Sequence, residues 1–211
     1  MKTIVIFGAS SGLGLAAVRY FASQDFNVVG IARNPQKEES LGSLCQQLIA
    51  CDATDVNAVE AAVSQLPKDA VVLSTMGSFR SDKPVDYIGH RYLVDALERQ
   101  GINRLLLVTS LGCGDSWQYL SERARVGFGS AVREKSLAEA WLASSSLDYT
   151  ILRPGGLKDG EVTERGELSQ HVEVHGAIHR SEVARLVHQL LLNDASIGQI
   201  YQCVDPTVSY Y

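Results

Sequence analysis

The chain reads as a single-domain α/β protein built on a doubly wound, mostly parallel sheet. Three observations predict this. Short apolar runs rich in β-branched residues, at 3–7, 27–32, 70–74 and 104–108, alternate with stretches of helical spacing. The runs are near-continuous rather than alternating, as in strands covered on both faces. Short turns join them, so each strand–helix–strand step returns to the same sheet. The 211 residues, 45% of them apolar, suit one domain with a sizeable core.

The first strand covers 3–7. It leaves through Gly8-Ala9-Ser10-Ser11-Gly12-Leu13-Gly14 into an Ala-rich helix over 15–22, and a second strand over 27–32 follows. This is one βαβ unit. Gly8 lets the chain leave the strand where a Cβ would hinder it. Gly12 clears a path for a pyrophosphate to approach the backbone, and Gly14 lets the helix lie close on the strand. The N–H groups at the helix start, with its dipole, then make an anion site. The spacing is GxxxGxG, and a strand before it with a helix after it is the context a dinucleotide-binding turn requires. Arg33 ends the second strand, with Lys37 close behind and no acid until Glu38. Sites that prefer NAD place an acid here for the ribose 2′-OH, whereas a guanidinium grips a 2′-phosphate bidentately. The expected cofactor is therefore NADP(H), with NAD(H) the lesser alternative.

A polar stretch over 35–43 leads to a third strand at 47–51, which ends at Asp52. Asp55 caps a helix over 56–65 whose apolar stripe is Val59, Ala62, Val63 and Leu66. The fourth strand, 70–74, leaves through Thr75-Met76-Gly77-Ser78. A helix over 85–100 stops at Gly101, and the fifth strand, 104–108, passes into Thr109-Ser110-Leu111-Gly112. Residues 112–129 read as an irregular loop carrying Trp117, Tyr119 and Phe128, followed by a helix over 131–144. The sixth strand, 149–152, closes on Arg153-Pro154-Gly155-Gly156. The region 157–179 has no strong period, and Val162 and 172–174 are candidate short strands of a cap. A helix over 181–192 and a strand over 199–204 end the fold. Ligands of such sheets sit beyond the carboxyl ends of the strands, where strand order reverses, so candidate site residues are those that follow strands.

The net charge of −5, with no basic cluster, argues against a nucleic-acid partner. The opening apolar run is too short for a signal peptide and no segment approaches a membrane span. A small-molecule substrate and a cytoplasmic location are expected. Cys45, Cys51, Cys113 and Cys203 lack paired spacing, which points to free thiols rather than zinc or a redox pair, and no metal site is expected.

Over nearly its whole length the chain resembles the short-chain dehydrogenase/reductase superfamily. The resemblance rests on Gly8-xxx-Gly12-x-Gly14, Cys51-Asp52-Ala53, Val108-Thr109-Ser110, Glu134-Lys135, the run from Leu147-Asp148-Tyr149 to Arg153-Pro154-Gly155, and Ser181-Glu182-Val183-Ala184. The run from Ser146 to Leu157 is most similar to the atypical single-domain branch, which includes biliverdin reductase B/flavin reductase-like and NmrA-like proteins. The resemblance implies a Rossmann fold over 1–211. It implies that Asp52 bonds the adenine amino group, with Ala53 adjacent. Thr75, Met76 and Gly77 would line the ribose and nicotinamide side, and Pro154, Gly155 and Leu157 would meet the carboxamide through the backbone. Ser110 takes the place of the family's catalytic serine.

One departure matters. The family's acid is a Tyr four residues before a Lys, and here Ala131 stands four before Lys135. Alanine gives no proton. Lys135 still interrupts an apolar stripe of Ala131, Ala138 and Leu142, so it needs either a partner, such as a nicotinamide-ribose hydroxyl pair, or a snorkelling stem. The Ser110 hydroxyl either satisfies backbone at a strand end or faces substrate. Tyr119 is a candidate replacement acid and Cys113 a candidate reactive thiol, while His90 and His179 read as structural.

Three functions compete. The favoured one is an NADP(H)-dependent oxidoreductase whose acceptor, a flavin, quinone or conjugated carbonyl, takes its proton from water, with the pocket formed by 112–130 and 155–180. Losing the Tyr costs such chemistry least, because positioning does most of the work. The alternatives are a non-catalytic NADP(H)-binding redox sensor or assembly factor, and a nucleotide-sugar epimerase or dehydratase, which needs the Tyr and a larger sugar region.

Overall fold

The computed structural model describes residues 1–78 and 84–210. Its main sheet has eight strands. In spatial order these are β3 (Gln47–Ala50), β2 (Phe26–Ala32), β1 (Lys2–Phe7), β4 (Val71–Ser74), β5 (Arg104–Val108), β6 (Asp148–Pro154), β10 (Gln199–Val204) and β8 (Glu167–Ser169). All neighbours pair in parallel except β10 and β8, so the expected doubly wound sheet is what forms. Strand order reverses between β1 and β4. The remaining strands, β7 (Gly156–Lys158) and β9 (Ala177–His179), form a separate parallel pair.

Helices cover both faces. On one lie α1 (Gly12–Ala22), α2 (Leu41–Leu44) and α6 (Arg180–Leu191), and on the other α3 (Val56–Val63), α4 (Ile88–Gln100) and α5 (Glu122–Ala143). Side chains alternate along β1 accordingly: Ile4 and Ile6 pack under α1 and α6, Val5 and Phe7 under α3 and α4. This double cover is why the strands read as unbroken apolar runs. Asp55 caps α3 by accepting from the Asn57 and Ala58 amides, and Gly101 ends α4 in a left-handed conformation, φ 66°.

Three expectations fail, each for a physical reason. Residues 112–129 are not an irregular loop. A 3₁₀ segment, Gly114–Tyr119, is followed by α5, which starts at Glu122 with Ser121 capping the Ala124 amide. Gly127 and Gly129 and the exposed Val126 and Phe128 hide that helix, because its first turns bury almost nothing. Val162 and 172–174 are not strands. The chain at 163–166 instead wraps the fully buried Glu182 carboxylate, which accepts from the Thr163, Glu164 and Gly166 amides, and His171 takes a positive φ of 57°. Finally, α4 begins at Ile88 rather than 85, because Asp86 turns inward into an ion pair described next.

Candidate active site

A cleft of about 830 Å³ opens at the β1/β4 reversal, beyond the carboxyl ends of the strands. One end is built from backbone. Gly8, at φ +88°, donates to the Ile31 carbonyl at 2.9 Å, and a Cβ on Gly14 would run into the Gly8 carbonyl. Helix α1 can therefore approach the strand only because Gly14 has no side chain. Ser11 takes the N-cap in an extended conformation without its side chain capping the first turn, and that turn carries no acid. The first-turn N–H groups keep their donors, and the helix dipole adds to them.

Ser10, Ser11, Gly12 and Leu13 line this end. Ala9 and Gly14 do not. Ala9 is buried beneath the turn in the core, and Gly14 serves packing rather than the cleft. Thr75 has a structural task as well, since its hydroxyl donates to the Phe7 carbonyl at 3.0 Å beside Gly8. The tip of β2 presents Arg33, Asn34 and Lys37 to the cleft. Glu38, the first acid beyond Arg33, also lines the cleft and accepts from the Ser40 hydroxyl at 2.5 Å and amide at 3.3 Å, which hold its carboxyl below the usual range. Asp52 and Ala53 line the cleft after β3, and Asp52 Oδ1 accepts from the Thr54 amide and hydroxyl.

The other end is built from side chains held by buried charges. Met76, Gly77, Ser110, Lys135, Pro154, Gly155 and Leu157 line it. Lys135 finds the partner it needed: its ammonium lies 2.7 Å from Asp86 Oδ1 and donates to the Met76 carbonyl at 3.4 Å. Burial pushes the Asp86 carboxyl up, but Lys135 and the Ser78 hydrogen bonds outweigh it and hold it below the usual carboxylate range. Behind it, His90 Nδ1 donates to the Asp86 carbonyl at 2.7 Å. Its Nε2 therefore accepts from the Ser74 hydroxyl at 2.9 Å, which fixes the neutral tautomer. Burial and then Lys135 press the His90 pKa down to about 4.

A second buried pair sits under Ser110. Arg153 binds Glu139 through both ends of its fork, at 3.0 and 2.7 Å, and reaches Asp115 at 2.5 Å. Thr109 donates to Glu139 at 2.6 Å. The Thr109 hydroxyl is thus committed to Glu139, and the Ser110 hydroxyl lies 3.6 Å from Cys113 Sγ. Cys113 is fully buried and burial pushes its thiol up, so the structure gives no reactive thiolate. Tyr119 lies at the end of the 3₁₀ segment, away from the main cleft. The Gly155 amide already donates to the Cys203 carbonyl, and the Pro154 carbonyl accepts from Leu111.

Sequence reasoning missed Asp86, Glu139 and Arg180. Asp86 and Glu139 lie far in sequence from the groups they hold, and no local pattern marks such pairs. Arg180, the first residue of α6, reaches over the Gly12 turn and lines the cleft. The motif Ser181-Glu182-Val183-Ala184 stood directly after it.

The residues fit a dinucleotide: a glycine cradle that a Cβ would fill, an uncapped helix start and cations at the far end. Comparison with known proteins agrees. A family model described as NAD(P)H-binding matches residues 8–194. A solved structure described as ChuY, an anaerobilin reductase from Escherichia coli O157:H7, is 40% identical, with all of both chains covered and a TM-score of 0.91. Sanguinarine reductase from Eschscholzia californica is 27% identical, covering 90% of this chain and 84% of that protein. A short-chain dehydrogenase/reductase from Veillonella parvula DSM 2008, solved in complex with NADP, shares the fold at 20% identity and a TM-score of 0.74, with 99% and 97% of the chains covered. Among the described residues no helix is long and apolar enough to cross a membrane. The chain belongs to the NAD(P)H-binding family.

Proposed function

We propose that this protein is an NADPH-dependent reductase of a conjugated acceptor of the bilin class. The observation that carries the reading is the cleft itself: one continuous space joins a phosphate cradle and a cationic strand tip to Ser110 and Lys135. The α1 N-terminus takes the diphosphate. Arg33 and Lys37 take the 2′-phosphate, two cations against the single Glu38 carboxylate at that end. Asp52 takes the adenine amino group beside Ala53. An ammonium has three donors. Asp86 and Met76 take two of those on Lys135, and the third serves the nicotinamide ribose.

Bound here, NADPH would supply a hydride to an acceptor carbon and become NADP⁺, and the acceptor would take the accompanying proton from water. That division suits the residues present, since Ala131 offers no proton and, of the hydroxyls lining the cleft near Lys135, those of Ser78 and Thr109 already donate to Asp86 and Glu139, whereas Ser110 meets only Cys113 Sγ. Of the segments expected to wall the acceptor space, 155–180 contributes Gly155, Leu157 and Arg180, whereas no residue of 112–130 lines the cleft, because the 3₁₀ turn faces a separate crevice. The resemblance to an anaerobilin reductase at 40% identity favours a bilin over a free flavin or quinone.

The test is NADPH consumption with bilin, flavin and quinone acceptors, with NADH in parallel. Turnover on a bilin with NADPH ahead of NADH is expected. Tight NADPH binding without turnover on any acceptor would instead make the protein a redox sensor, the reading that Ala131 alone favours.

A further inference from the structure

Arg180 has a side chain with two destinations. Its Nη1 donates to Asp159 Oδ1 at 2.7 Å, and Asp159 is 94% exposed. Its Nε is shielded from solvent and has no hydrogen-bond partner in the structure. That Nε lies 3.8 Å from where a Cβ on Gly12 would stand, directly over the phosphate cradle. A buried guanidinium nitrogen without a partner, over the point where the α1 amides converge, is a donor waiting for an acceptor.

The surroundings let the guanidinium leave Asp159 without losing the loop. The Ser181 hydroxyl donates to the Gly160 carbonyl at 2.7 Å, and His179 Nδ1 donates to the Glu161 carbonyl at 2.9 Å. Either bond keeps 159–161 against the start of α6. The exposed Arg180–Asp159 pair is worth at most about five-fold in an equilibrium. A forked guanidinium–phosphate contact is worth on the order of 10- to 100-fold. The phosphate wins.

We propose that Arg180 closes over the cofactor's diphosphate from the side opposite the α1 amides, and that Asp159 is its competing counter-ion in the free protein. The inference rests on the NADPH reading. It adds a residue from the far end of the chain to the diphosphate site, and it gives Asp159 an inhibitory role in binding.

The experiment is a set of equilibrium titrations on the full chain with NADPH, ADP-ribose and adenosine 2′-monophosphate, which lacks the diphosphate. Melting curves on each variant confirm folding. In R180Q, NADPH and ADP-ribose should weaken on the order of 10- to 100-fold, and the monophosphate by less than about two-fold. R180K should recover part of the loss, because a lysine keeps the charge but not the fork. D159N should tighten NADPH by about two- to five-fold, and should change nothing in the R180Q background. If the unaltered protein binds NADPH and R180Q binds it equally well, the Arg180 assignment falls while the NADPH reading stands. If D159N weakens binding, the competition falls. If the unaltered protein binds neither NADPH nor the monophosphate, the reading beneath fails and takes this inference with it.

Discussion

At the phosphate end of the cleft the working groups are backbone amides, fixed by Gly8, Gly12 and Gly14 and by the start of α1. At the acceptor end they are side chains, Ser110 and Lys135: Lys135 is paired with the buried Asp86, and Thr109, next to Ser110, is held by the buried Glu139–Arg153 pair. The amide cradle of the first end fails on a change of shape. The second tolerates small changes of shape and fails on a change of charge. The same cleft thus rests on two kinds of constraint, steric and electrostatic, and these can be broken separately.

Glu139→Gln should have the largest effect. It keeps the volume and removes the charge facing Arg153, whose side chain is 4% exposed. Removing one partner of a buried pair costs about 3–5 kcal/mol. Asp115, largely exposed, still reaches Arg153 and places the cost near the lower bound. Thermal unfolding should fall by roughly 10 °C, at about 2–4 °C per kcal/mol for a domain of this size. Turnover should fall as well, because a Gln amide that keeps its oxygen on Thr109 turns an NH₂ donor toward Arg153 Nη2, and Ser110 stands next to Thr109. An unchanged melting temperature would show that charge does not hold the acceptor end.

Gly14→Ala is the matching test of the phosphate end. The added methyl meets the Gly8 carbonyl, which is backbone and cannot rotate away. Overpacking against a fixed obstacle costs about 3 kcal/mol, the upper part of the usual range. Moving α1 off the strand also opens the cradle, so NADPH affinity should drop together with stability. Stability lost with affinity intact would separate the glycine's packing task from the anion site.

These two ends were not equally legible in the sequence. A steric requirement leaves a local trace: three glycines at fixed spacing between a strand and a helix have few other uses, and the strands, Asp55 and Gly101 were readable for the same reason. A buried charge pair leaves none, because Asp86 and Lys135 meet only through the fold. Lys135 was visible as a cation interrupting an apolar stripe, but its partner was not. Arg180 was hidden in the same way. The first turns of α5 escaped because amphipathic spacing marks a helix by what it buries, and those turns are exposed.

The electrostatic end should also show itself in pH dependence. His90 is buried and neutral, with a pKa near 4 against about 6.5 when unfolded. A depressed pKa contributes stability that is present above 6.5 and lost as pH falls, because the unfolded chain takes up the proton first. Between pH 7 and pH 5 the loss should be about 2 kcal/mol, read from urea unfolding at each pH. In His90→Gln that slope should flatten, whatever the variant's stability at pH 7. Asp86 titrates in the same sense but lower, because its carboxyl is held below the usual range. A slope unaltered in the variant would assign the acid sensitivity to the carboxylates.

Tyr119→Phe should do least. The missing family Tyr invites a substitute, and Tyr119 is the phenol nearest in sequence to Ser110. Yet it sits at the end of the 3₁₀ turn, facing a small crevice lined by Leu111, Leu120 and Val174 rather than the main cleft. A general acid contributes on the order of 10²–10⁴-fold when a residue supplies the proton. If water supplies it, removing one hydroxyl outside the cleft should change turnover by less than about two-fold. A drop of the larger size would mean that the turn swings Tyr119 over the acceptor during catalysis. The acceptor end would then be completed by motion as well as by buried charge, while the amide cradle at the α1 start would be preformed.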